Sequence, residues 1–170
     1  MIAPPAFGLL MIGLFIVGFV KKTGLVAGAI WFETTCPERS ERVFNAYTRR
    51  AGLCVLLGAA VGLPALIAGG ALLFFGGFGL RAAGGLLIIA AVFLMAYGHG
   101  AAYLDAGRRL QGAFRAESAP AVILTGGAVL EMAFLAPVAG QILAAVVWMR
   151  CLGAAVLALT GASAVGPAHE

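Results

Sequence analysis

Charge is missing from this chain over stretches long enough to cross a bilayer. Residues 2–20, 51–80, 82–98 and 151–168 hold no Asp, Glu, Lys or Arg, and residues 118–149 hold only Glu131. A helix needs roughly 20 apolar residues to span the hydrocarbon core. In that setting it satisfies every backbone N–H and C=O from within its own segment. The other spanning solution, a β-barrel, needs strands of alternating polarity about ten residues long. These runs do not alternate. With 62% of residues hydrophobic and 11% charged, against roughly a quarter charged in a soluble domain, the chain could not cover a water-facing surface. The expected fold class is all-α, a polytopic integral membrane helical bundle. It should have four to five membrane segments and two cytoplasmic amphipathic helices.

The runs divide residues 1–170 into a single transmembrane domain with spans near 6–20, 51–75, 82–98, 119–136 and 141–164. The amphipathic stretches are 36–50 and 99–118. In the first, Thr35 to Glu38 fits a capping box, with Pro37 tolerated in a first turn. Val43, Phe44, Tyr47 and Ala51 then recur at helical spacing. In the second, Tyr103, Gly107, Leu110 and Phe114 share a face opposite Asp105, Arg108, Arg109, Gln111 and Arg115. Ser118 is the expected N-cap of the next helix, with Pro120 in its first turn. Gly58 and Gly62 have the spacing of a close-packing motif between membrane helices. Pro64 lies mid-span, Gly76 and Gly77 mark a turn, and Pro137 with Gly140 marks another. Residues 24–32 are too few to cross on their own.

Orientation follows from the cations. The 21–50 island holds Lys21, Lys22, Arg39, Arg42, Arg49 and Arg50, and the 99–118 island holds Arg108, Arg109 and Arg115. The turn near 76–81 holds only Arg81. By the positive-inside rule both rich islands face the cytoplasm. Lys21 and Lys22 follow the first apolar run rather than precede it, the reverse of a cleavable signal. The expectation is an uncleaved first span, an N-terminus outside, and residence in the cell inner (plasma) membrane. The net charge of +4 is explained by topology and implies no nucleic acid partner.

Glu131 and Arg150 are the intramembrane polar candidates, because a charged side chain within a span is costly and tends to mark function. They have two readings. In one they pair across a hairpin that turns at Pro137. At 1.5 Å per residue they then sit about 9 Å and about 19 Å from the turn. In the other Glu131 is a neutral acid bonded within the bundle. Arg150 then reaches the surface from a short hairpin, 138–149 entering the membrane without crossing it. Arg39, Arg42, Arg49, Arg50, Arg108, Arg109 and Arg115 form a cytoplasmic basic face. His99 ends the third span. Cys36, Cys54 and Cys151 are widely spaced, and with His99 and His169 they match no metal or disulfide framework. No hydrolase, zinc-protease or nucleotide-loop motif is present. We expect no enzyme, no cofactor and no metal.

Tyr103, then Arg108-Arg109-Leu110, then the stretch from Leu130 through Glu131 to Pro137, Val138 and Gly140, ending at Arg150, carry a resemblance. This half of the chain resembles the C-terminal half of the CysZ-type sulfate permease family. Glu131 stands where that family has Asn, and Val129 where it has proline. The resemblance implies short, partly penetrating hairpins beside full spans, and a small permease or channel component for a small anion. A bundle this small would then work as a homo-oligomer. The alternative is a non-catalytic accessory or assembly subunit, supported by the abundance of Gly and Ala that suits packing on partner membrane subunits. In either case the lipid bilayer is the first partner.

Overall fold

The computed structural model describes residues 23–114 and 118–161. The expected first span at 6–20, Lys21, Lys22, Arg115 and His169 lie outside these residues. The described residues form six helices and no strand. Residues 23–35 are helical (α1), followed by α2 (Pro37–Arg49), α3 (Ala51–Phe75), α4 (Phe78–Phe114), α5 (Ala119–Ala133) and α6 (Ala139–Leu159). Helices α3, α6 and most of α4 are long and apolar enough to cross a membrane, and α5 is a shorter apolar helix. The protein is a membrane-embedded helical bundle.

Local chemistry sets most boundaries. Thr35 is still within α1, so the expected capping box does not form. Cys36 is the N-cap of α2, without a side-chain cap, and Pro37 opens the helix. Arg50 breaks α2 from α3. Gly76 ends α3, and Arg81 fastens the turn by donating from Nε to the Gly76 carbonyl at 2.9 Å. Ser118 caps α5, its hydroxyl accepting from the Ala121 N–H at 3.4 Å. The reading of 99–118 as a separate segment meets a single helix instead. Helix α4 runs through Gly98, His99 and Gly100 for 37 residues, about 56 Å at 1.5 Å per residue. That is nearly twice the hydrocarbon thickness of about 30 Å.

The packing is inverted relative to a soluble protein. On α3 the buried residues are small (Cys54, Gly58, Gly62 and Gly69), while Leu56, Ile67, Phe74 and Phe75 point outward. Phe75 and Phe78 are 91% and 93% exposed. Lipid tails are as apolar as these side chains, so helices associate where small residues let backbones meet. A Cβ at Gly58 would overlap the Met149 carbonyl, and one at Gly153 would overlap the Cys54 carbonyl. The α3–α6 crossing is therefore a backbone-to-backbone contact from both sides. Gly98 meets the Cys151 backbone in the same way. Gly107 and Gly126 are reciprocal on α4 and α5, one against Val122 and the other against Tyr103.

Around these crossings the core gathers on the second half of α4. His99, Ala101, Ala102, Tyr103 and Leu104 are all buried there. Helix α2 lays Val43, Ala46 and Tyr47 against α4 and α6, and its buried Ser40 donates its hydroxyl to the Glu33 carboxylate of α1. Helix α1 crosses α4 at Ala29 over Gly100, with Phe32 edge-on to Tyr97 at 4.6 Å between centroids.

Gly58→Leu should prevent α3 from closing on α6 and lower stability by about 3 kcal/mol. Gly70→Ala, where no atom lies within 4 Å of the added Cβ, should be neutral or slightly stabilising. Thermal unfolding in detergent, followed by circular dichroism, separates the two. Equal midpoints would mean that the Gly58 contact does not hold the bundle.

Candidate functional site

Two polar constellations lie inside the bundle, one around each residue singled out in the sequence. The first is built on α4, where His99 and Tyr103 are one helical turn apart. Both are essentially inaccessible, Tyr103 at 0% and His99 at 1% exposure. The Tyr103 hydroxyl donates to Glu131 Oε1 on α5 at 2.8 Å. The His99 ring meets the Tyr103 ring edge-on at 5.7 Å, and its Nδ1 lies 2.9 Å from the Met95 carbonyl. A carbonyl only accepts, so Nδ1 carries the proton in this contact. The result is a polar column on one face of α4 that ends on an α5 carboxyl group.

The second constellation is made by the break at Arg50. A helix leaves its last carbonyls without intrahelical donors, and the C-terminus of α2 is buried. The Ala46 carbonyl takes the Arg50 N–H at 3.2 Å and the Cys54 thiol at 3.2 Å. The Tyr47 carbonyl takes Arg150 of α6 twice, from Nε at 3.0 Å and from Nη2 at 2.7 Å. The same guanidinium sits 3.9 Å over the Tyr47 ring centroid. Arg150 thus caps a helix from a distance: its charge complements the negative end of the α2 dipole while its plane stacks on the ring. Burial pushes the Tyr47 phenol well above its ordinary pKa, and the neighbouring Arg150 charge opposes this only in part. Cys54 and Cys151 flank the joint, both fully buried.

The two intramembrane candidates therefore have separate seats. Glu131 holds α5 to α4 through Tyr103, and Arg150 holds α6 to α2 through Tyr47. Helix α6 runs unbroken from Ala139 through Arg150 to Leu159.

The basic face is drawn together by α2 lying along α4. Arg108 stacks over the Phe44 ring at 4.2 Å. Arg39, Arg42, Arg49, Arg108 and Arg109 are exposed and Arg50 is half-buried. Acids accompany them. Glu38 lies 3.9 Å from Arg42, and Asp105 lies 3.2 Å from Arg109. A cavity of about 210 Å³ beside Arg108 is also lined by Glu33, Glu41 and Asn45, so its charge is mixed rather than cationic. Among the described residues no group of three His, Cys, Asp or Glu could hold a metal ion.

Sequence reasoning identified Glu131 and Arg150 but not their seats. Tyr103 was placed on the correct face of its helix without a role. Tyr47 was read as part of an apolar stripe, and no side-chain pattern could reveal that its backbone carbonyl is the acceptor. No protein-family model, curated protein or solved structure matches the chain.

Arg150→Leu should strand the Tyr47 carbonyl and cost about 2 kcal/mol, with Arg150→Lys regaining part of it. Unfolding midpoints measure both, and a fully stable Leu variant would contradict the capping role. The raised Tyr47 pKa has a defined sign. Below pH about 10, the ordinary tyrosine value, folded and unfolded chains both hold the proton and stability is unaffected. Above it the unfolded chain releases the proton first, so stability falls as pH rises towards the folded pKa. Tyr47→Phe, which keeps the ring and the carbonyl, should reduce this alkaline loss in a stability–pH series.

Proposed function

We propose that the protein is a non-catalytic accessory subunit of a membrane assembly. It resides in the cell inner membrane with its N-terminus outside and α2 on the cytoplasmic side. One observation carries the reading: Glu131 and Arg150, the two charge-bearing candidates within the apolar runs, are each engaged in joining one helix to another. Arg150 closes on Tyr47 and Glu131 on Tyr103, and both lie among glycine-mediated crossings. A residue serving a transported ion needs to meet that ion, whereas these meet the chain itself. The outward Leu, Ile and Phe of α3 and α4 offer surface to lipid or to partner helices. The distribution of Lys and Arg supports the orientation.

A second reading is a small-anion permease component working as a homo-oligomer. The resemblance of residues 103–150 to the sulfate permeases favours it, as does the cluster of exposed arginines on α2 and α4. Acids beside Arg42, Arg108 and Arg109 weaken the attraction for an anion.

Glu131→Gln discriminates between the two, since its amide oxygen still accepts from Tyr103 but cannot ionise. For an accessory subunit, vesicles holding wild type or Glu131→Gln should take up sulfate no faster than protein-free vesicles. Tyr103→Phe, which removes the bond, should lower the unfolding free energy by about 1 kcal/mol. Sulfate uptake by wild type that Glu131→Gln alters at equal expression would overturn the accessory reading in favour of the permease.

A further inference from the structure

Where the end of α1 meets α2 and α4, the three helices enclose the cavity of about 210 Å³ that Arg108 lines. Helical spacing builds its walls. Glu41, Phe44 and Asn45 fall on one side of α2, and Leu104 and Arg108 are one turn apart on α4, because residues three and four apart share a helix face. Glu33 reaches in from α1. Two acids and one arginine thus line the same space without neutralising one another. Among the described residues Arg108 forms no ion pair with Glu33 or Glu41, and its guanidinium lies instead over the Phe44 ring at 4.2 Å. Glu33 meets the Ser40 hydroxyl through Oε2, and a carboxylate has a second oxygen to offer. We propose that this cavity binds an ammonium–phosphate zwitterion, the headgroup chemistry of an ethanolamine phospholipid, with the ammonium at Glu33 and Glu41 and the phosphate at Arg108.

Three features select this chemistry. The first is the presence of both signs of charge on one wall. A simple anion would meet Arg108 but be repelled by two carboxylates, and a simple cation would meet the acids but face the arginine. A ligand carrying both charges has a partner for each. The second is the kind of polar group beside Arg108. Carboxylates and the Asn45 carbonyl accept hydrogen bonds, which suits the three N–H groups of a primary ammonium. A trimethylammonium has no such donor and is recognised by aromatic cages. The ring that lines this cavity, Phe44, already has Arg108 over it and packs against the core. The third is depth. From Arg81, at the turn that opens α4, to Arg108 the helix axis runs about 40 Å. That distance carries the cavity past a hydrocarbon core of about 30 Å into the headgroup layer, where lipid phosphate and ammonium groups lie.

The test uses the full chain purified in mild detergent. Native mass spectrometry follows stepwise addition of phosphatidylethanolamine, phosphatidylcholine or phosphatidylglycerol. Wild type should retain one phosphatidylethanolamine roughly ten-fold better than either of the others, the worth of one hydrogen bond to a charged group. Glu33→Gln and Glu41→Gln together should bring phosphatidylethanolamine and phosphatidylcholine to near parity. Glu41→Gln alone, at an exposed position, should fall between and leave the unfolding midpoint unchanged. Arg108→Gln should weaken retention of both lipids, since both carry the phosphate. Free phosphoethanolamine separates the two sources of this chemistry. If it displaces the bound phosphatidylethanolamine at equal concentration, the zwitterion is a soluble one, and if it does not, the ligand comes from the bilayer. Equal retention of the three lipids by wild type would overturn the proposal, as would a preference for phosphatidylglycerol, which assigns the cavity to an anion. So would a phosphatidylethanolamine adduct indifferent to both Glu41→Gln and Arg108→Gln, which places the lipid elsewhere on the bundle.

Discussion

Backbone contact at glycine is what the rest of this structure depends on. In water the burial of large side chains would drive helices together. In a bilayer that gain disappears, because an outward Leu is already among hydrocarbon. Association then rests on short-range packing, and packing is densest where nothing intervenes between main chains. Gly58 on Met149, Gly153 on Cys54, Gly98 on Cys151 and the Gly107–Gly126 pair supply these contacts. Each also brings a carbonyl close to a glycine Cα, a geometry in which weak C–H···O bonds form. The large residues face outward as a consequence.

Such close packing leaves little tolerance for polar groups, so those present must be matched. An unbonded carbonyl in a dry interior carries the full cost of its desolvation. The break at Arg50 creates such carbonyls at the end of α2, deep enough to exclude water. The Cys54 thiol and the Arg150 guanidinium satisfy them from α3 and α6. Arginine suits the place better than lysine because its planar fork can bond a single oxygen twice and still stack on a ring. The same reasoning explains why an arginine in the middle of α6 is tolerated at all. It is an internal helix cap rather than a stray charge.

What could be read from the sequence was whatever depends on neighbours along the chain. Helix α3 lies between Arg50 and the Gly76–Gly77 pair, features visible in the order of residues alone. The amphipathic α2, the Ser118 cap and the turn between α5 and α6 belong to the same class. Pairings across the fold were hidden. Tyr47 and Arg150 are 103 residues apart, and the acceptor is a main-chain atom with no sequence signature. The Gly98-His99-Gly100 triplet looked like the end of a span. In the structure Gly98 admits the α6 backbone and Gly100 faces Ala29 of α1, so these glycines mark crossings and the helix continues. Glycine in a membrane helix carries either meaning, and only the neighbours decide.

The distribution of the two kinds of joint follows from helix length. Helices α3, α4 and α6 are each long enough to sit across a bilayer, so lipid itself fixes their depth. Helix α5, with 15 residues, is about 22 Å long and too short to do so. Helix α2 is amphipathic and does not itself span. These are the elements fastened by a directional polar bond to a spanning neighbour, α5 through Glu131 to Tyr103 and α2 through Tyr47 to Arg150. Glycine contacts fix how closely helices approach, but a smooth interface of small residues allows sliding and rotation. A hydrogen bond between two named atoms removes that freedom. Glu131 and Arg150 therefore stand where lipid cannot set the position of a helix, and their cost within the membrane is offset by the register they impose.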